Sequence, residues 1–107
     1  LTPQNITRDG LNPSYAAAAG GGDDYVNTGV ELIHIKNGDV GAHTITITTP
    51  NQVDGLDIAN RAVAAPPGEE RIIGPFPTGT YNNSEGKVAF TYDDVTSVTI
   101  AVLKPGT

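Results

Sequence analysis

His43-Thr44-Ile45-Thr46-Ile47-Thr48-Thr49 alternates without a break, with isoleucines at 45 and 47 on one face and threonines at 44, 46 and 48 on the other. A period of two is the pattern of a strand with one face buried and one wet. Upstream, Val30-Glu31-Leu32-Ile33-His34-Ile35-Lys36 is equally β-prone. Its apolar positions change parity, from Val30 and Leu32 to Ile33 and Ile35, which predicts burial on both faces or a bulge. Between the two runs lies Asn37-Gly38, the strongest short hairpin dipeptide. The two runs are therefore expected to pair as a hairpin.

Downstream, turn signals recur every 8–12 residues, at the spacing of a sandwich or small barrel. Arg61 to Ala65 is a short strand that stops at Pro66-Pro67-Gly68. Glu70 to Ile73 restarts and stops at Gly74-Pro75. Val88, Phe90 and Tyr92 alternate, and after the Asp93-Asp94 turn so do Val98, Ile100 and Val102. Residues 50–60 and 78–87 are polar and turn-like. The expected fold is all-β, an antiparallel β-sandwich or jelly-roll-like barrel, with a core of Leu32, Ile33, Ile35, Ile45, Ile47, Val63, Ile72, Phe90, Val98, Ile100 and Val102.

Residues 1–29 differ. Pro3 confines the first segment to a sheet edge, and Ala16 to Ala19 runs straight into Gly20-Gly21-Gly22, which ends any helical turn. This stretch is expected to be an extended N-terminal arm or long loop, with 30–107 as the β-sandwich domain; the alternative is that it folds back as the first strands of the same domain. Ile6, Leu11, Tyr15, Tyr25 and Val26 are its candidate assembly anchors, apolar side chains that a partner surface would cover.

Composition narrows the function classes. The chain has 107 residues, one domain's worth, with 12 acidic against 6 basic side chains and a net charge of −6. Arg8, Lys36, Arg61, Arg71, Lys87 and Lys104 are scattered, so neither nucleic acid nor an anionic membrane is an expected partner. With no cysteine, disulfides, thiolate zinc sites and Cys nucleophiles are excluded. No apolar run is long enough to span a membrane, and no signal peptide is expected.

Motifs for chemistry are sparse. His34 and His43 stand on the two arms of the expected hairpin, so with Asp39 they could approach one another as metal ligands; the plainer alternative is two strand histidines with polar neighbours. Ser14, Ser84 and Ser97 lack a nucleophile-elbow pattern. The acidic pairs Asp23-Asp24, Glu69-Glu70 and Asp93-Asp94 sit at turn signals rather than facing across a cleft. No catalytic residue, metal or cofactor is expected.

Four runs carry a resemblance: TPQNITRDGLNPSYAAAAGGGDDYVNTG (2–29), GVELIHIKNGDVGAHTITITTP (29–50), VAAPPGEERIIGPFP (63–77) and YNNSEGKVAFTYDDVTSVTIAVLKP (81–105). Together they resemble a family of small virion proteins that tailed bacteriophages encode near their capsid genes. The resemblance implies a capsid decoration, or cement, protein. Such a protein is made in the host cytoplasm, sits on the capsid surface, binds the major capsid protein and assembles as a homo-oligomer, a trimer foremost. A carbohydrate-binding or adhesin-like sandwich and a tail or neck completion protein are the alternatives.

Overall fold

A computed structural model of the chain describes residues 1–105; positions 106–107, the end of the expected β domain, lie outside the described residues. In chain order the strands are β1 (Gln4–Ile6), β2 (Ala16–Ala17), β3 (Asp23–Val26), β4 (Leu32–Asn37), β5 (His43–Ile47), β6 (Gln52–Val53), β7 (Leu56–Asp57), β8 (Arg61–Ala65), β9 (Glu70–Ile73), β10 (Lys87–Tyr92) and β11 (Val98–Pro105). One helical turn, α1 (Thr78–Tyr81), interrupts them.

The strands form two facing sheets and a separate ribbon. The first sheet has the order β1-β11-β4-β9, with β2 also on β11; the second has the order β3-β10-β5-β8; β6 pairs with β7. Every pairing is antiparallel except that of β1 with β11. The chain is thus an all-β antiparallel sandwich. Most connections cross from one sheet to the other, so each sheet is filled by strands distant in sequence.

Inward alternation builds the core. Ile33, Ile35, Ile45, Ile47, Val88, Phe90, Val98, Ile100 and Val102 are almost wholly buried between the sheets. Each such side chain contributes about 1.5–3 kcal/mol relative to an exposed one, before entropy is counted. Phe90 lies opposite Ile47 across the β10–β5 pair, and its ring meets those of Tyr25 and Tyr92 at centroid distances of 6.2 and 5.9 Å.

Polar side chains close the ends of this core. The inward positions along β4 and its lead-in are Glu31, Ile33, Ile35 and Asn37, apolar in the middle and polar where the chain leaves the sheet. Asn37 donates through Nδ2 to the carbonyls of Gly41 and Ala65 at 2.8 and 2.9 Å, and its Oδ1 accepts from Asp39 N–H at 3.0 Å. At the other end the Glu31 carboxylate accepts from the N–H and hydroxyl of Thr28, both at 2.8 Å, and Lys104 Nζ lies 3.9 Å away. Burial opposes its ionisation, but these bonds outweigh burial and hold the Glu31 carboxyl below the usual range. Asn27 donates to Phe76 O and Asn82 Oδ1 at 3.0 and 2.7 Å, tying the loop after β9 to the same end.

Several expectations need correction. β4 and β5 do not form a hairpin: they belong to opposite sheets, and Asn37 to Ala42 carries the chain across. The reason is the Asn37 side chain, which points inward and binds both crossing segments. β4 has no bulge and is not buried on both faces; its register with β11 and β9 is continuous, Leu32 is half-buried and Val30 is exposed. Ile72 is 63% exposed, because the single inward isoleucine of β9 is Ile73. Val63 is half-buried at the core's margin.

Residues 1–29 are not an extended arm. They lie along the sandwich as β1, β2 and β3, and Tyr25 is only 1% exposed within the core. Gly22 allows the close approach: its φ is +95°, and a Cβ there would meet Phe90 O at 2.7 Å. Asp23 belongs to a strand rather than a turn and accepts the Tyr92 hydroxyl bond at 2.7 Å.

Candidate binding surface

The two histidines do not meet; they serve separate polar clusters. His34, on the outward side of β4, has Nδ1 at 2.7 Å from the Tyr15 hydroxyl and Nε2 at 2.7 Å from Glu70 Oε1. Lys36 Nζ lies 3.9 Å from the centre of the Tyr15 ring. Tyr15, His34 and Glu70 join three separate stretches of chain, so the line they make pins the segment before β2 onto the first sheet. Tyr15 is therefore a contact within its own domain.

His43 opens β5 and is buried. Its Nε2 is 2.8 Å from Asp39 Oδ2 and its Nδ1 is 3.5 Å from Asp93 Oδ1. The Asp39 bond raises its pKa against the opposing effect of burial, with Asp93 and Asp94 adding to the rise. Asp39 is the local candidate carboxylate that a metal site would need, but Asp39 and Asp93 flank opposite ring nitrogens and cannot share one ion with the imidazole. Among the described residues no group of three His, Cys, Asp or Glu side chains could hold a metal.

The candidate anchors separate into two kinds. Tyr25 is in the core, and Leu11 and Tyr15 are half-buried. Ile6 and Val26 remain 38% and 56% exposed. Among the described residues β1, which carries Ile6, pairs only with β11, and β3, which carries Val26, only with β10, so each has an open edge there.

On β8 and β9 the two sheets end again on open edges, and there a cleft of about 510 Å³ separates them. Val63, Ile72, Phe76 and Tyr81 give it an apolar lining, and Arg61 and Arg71 supply guanidinium groups. The Phe76 and Tyr81 rings pack edge to face at 5.0 Å. Arg61 Nε donates to the Tyr81 hydroxyl at 3.3 Å, and Arg71 Nη1 is 3.1 Å from Glu69 Oε1.

Residues 50–60, expected to be a polar loop, contain the β6–β7 ribbon. Its turn residues Asp54 and Gly55 have φ of 52° and 76°, the two positive values of a type I′ hairpin turn. Asp-Gly between Val53 and Leu56 is the sequence signal for this, overlooked beside the more familiar Asn37-Gly38. Val53 and Leu56 are 58% and 70% exposed. The root is held by Asn51 Nδ2 on the carbonyls of Thr80 and Asn82, at 3.1 and 2.8 Å, and by Asn60 Oδ1 on Thr49 N–H at 2.9 Å.

Comparison with protein-family models, with curated proteins and with solved structures finds no match to this chain.

Proposed function

We propose that the chain is a virion structural protein that binds the outside of a tailed-phage capsid lattice and stabilises it, without catalysis. The observation that carries the reading is the double character of residues 1–29. Tyr15 and Tyr25 lock this segment onto the sandwich, while Ile6 and Val26 stand out from the open-edged strands β1 and β3. A pre-ordered edge with protruding apolar side chains can add to a partner's sheet at little entropic cost.

The fold class supports this. With β2 counted beside β11, the sheet orders β2-β11-β4-β9 and β3-β10-β5-β8 support reading the sandwich as a jelly roll, an architecture of viral capsid and lectin domains. Architecture alone does not choose between those two. The aromatic side chains favour the capsid: Tyr25, Phe76 and Phe90 are buried, so they build no exposed platform for a glycan.

The test is co-sedimentation with undecorated phage heads, together with the heads' thermal disruption. Wild-type protein is expected to bind and to raise the disruption temperature, and Ile6→Asp/Val26→Asp protein to do neither while keeping its own melting temperature. A wild-type protein that leaves heads unbound refutes the capsid reading; unchanged binding by the double variant refutes the surface.

A further inference from the structure

We propose that the β6–β7 ribbon of one copy seats in the β8–β9 cleft of a second copy, so that the chain assembles head to tail. The two surfaces are complementary. The ribbon presents Val53 and Leu56 opposite one another on one face, with Asp54 in the turn beside them; Asp57 stands on the other face, where it accepts from Gln52 Nε2 at 2.6 Å. The cleft presents an apolar lining with two arginines. These are two of only six basic residues in a chain with twelve acidic ones. Arg61 has no carboxylate within ion-pair distance among the described residues, whereas Lys36 covers Tyr15, and Lys87 and Lys104 stand beside Glu85 and Glu31. The cleft volume is in the range that holds a small ligand and is ample for two aliphatic side chains.

The ribbon does not occupy its own cleft: none of its residues lines it. Only Ile58, Ala59 and Asn60 join β7 to β8, and Asn60 is bonded to Thr49 while Asn51 holds the other root. Among the described residues the ribbon strands pair with each other alone. An isolated two-stranded ribbon is marginal in water and gains from being covered. Because ribbon and cleft are different surfaces, the contact is heterologous: it closes into a ring when the rotation between copies allows. It forms without a capsid and stands apart from the capsid reading.

Sedimentation of the purified chain from micromolar to near-millimolar concentration tests this. Wild-type protein is expected to associate, and Val53→Ser/Leu56→Ser and Arg61→Glu/Arg71→Glu proteins to be monomers with unchanged circular dichroism. Mixing the two variants is the decisive step. The ribbon variant keeps its cleft and the cleft variant keeps its ribbon, so the mixture is expected to give a one-to-one dimer that neither forms alone. A monomeric wild type, variants that still associate, or a silent mixture each overturn the proposal. A monomeric wild type whose head binding is lost in Val53→Ser/Leu56→Ser protein would instead assign the ribbon to the lattice.

Discussion

Asn37 is 2% exposed and ties together two of the places where the chain crosses between sheets, β4 to β5 and β8 to β9. Replacing it with alanine removes the donors to Gly41 O and Ala65 O and the acceptor for Asp39 N–H, three bonds of 2.8–3.0 Å. A buried hydrogen bond contributes about 1 kcal/mol net, and an orphaned partner costs about 1–3 kcal/mol when water cannot reach it. Gly41 is exposed, so water can satisfy its carbonyl; the bond to Ala65 O is buried. The expected loss for Asn37→Ala is therefore about 4 kcal/mol, three net values of about 1 kcal/mol with one orphan at the low end of its range added. Asn37→Asp is expected to lose more, since it sets a carboxylate against two carbonyl oxygens. Urea unfolding at neutral pH measures both, with the slope checked for constancy. A loss under about 1 kcal/mol for Asn37→Ala, or an aspartate variant as stable as wild type, would show that the crossing does not depend on this side chain.

Four further outcomes are expected. Ile47→Ala, at a fully buried position opposite Phe90, should lose about 2–5 kcal/mol by chemical denaturation. Ile72→Ser, on a residue 63% exposed, should stay within about 0.5 kcal/mol of wild type in the same measurement. Tyr25→Phe should be neutral or stabilising in a thermal melt, because the buried Tyr25 hydroxyl lacks a hydrogen-bond partner and its removal leaves nothing orphaned. The pH profile should carry the sign of a raised histidine pKa: the His43 contribution is complete below its unfolded value of about 6.5 and disappears as pH rises through the higher folded value. Urea midpoints from mildly acidic to mildly alkaline pH should therefore fall more steeply for wild type than for His43→Gln, and parallel profiles would remove His43 from the linkage.

What the sequence made legible was whatever depends on a period of two. The His43–Ile47 alternation, the Val88-Phe90-Tyr92 run and the Val98-Ile100-Val102 run all sit with the expected side inward. Parity misled where both neighbours were apolar. In β9 Ile72 and Ile73 are indistinguishable by hydropathy, and the choice between them follows from the register with β4, where Ile33 lies opposite Ile73. The same holds for Leu32 and Ile33: the inward row is set by Glu31 and Asn37, two polar residues that a hydrophobicity pattern assigns to the surface. They are inside because neighbouring backbone groups satisfy their hydrogen bonds, which no count of apolar positions registers.

The same blindness accounts for the misread connection and for the misread arm. A dipeptide such as Asn37-Gly38 reports that the chain turns, and not whether the next strand joins the same sheet or the opposite one. In a sandwich both choices bury the same alternating face, so local pattern is silent and a side chain decides, here the Asn37 amide. In residues 1–29 the apolar side chains are few and irregular, too few to order the segment by itself. That holds for the segment alone. Against a preformed sheet, Tyr25 needs only the hollow beside Phe90 and Val88, its neighbour across the β10–β3 pair, and Tyr15 needs only the outward nitrogen of His34. Two tyrosines with long-range partners order what composition alone would leave loose. Among the large apolar side chains left exposed, which also include Val30, Val40 and Ile72, Ile6 and Val26 stand at one pair of open edges and Val53 and Leu56 together on the ribbon. In a chain with so thin a core, large apolar groups left in water point to surfaces that a second molecule covers.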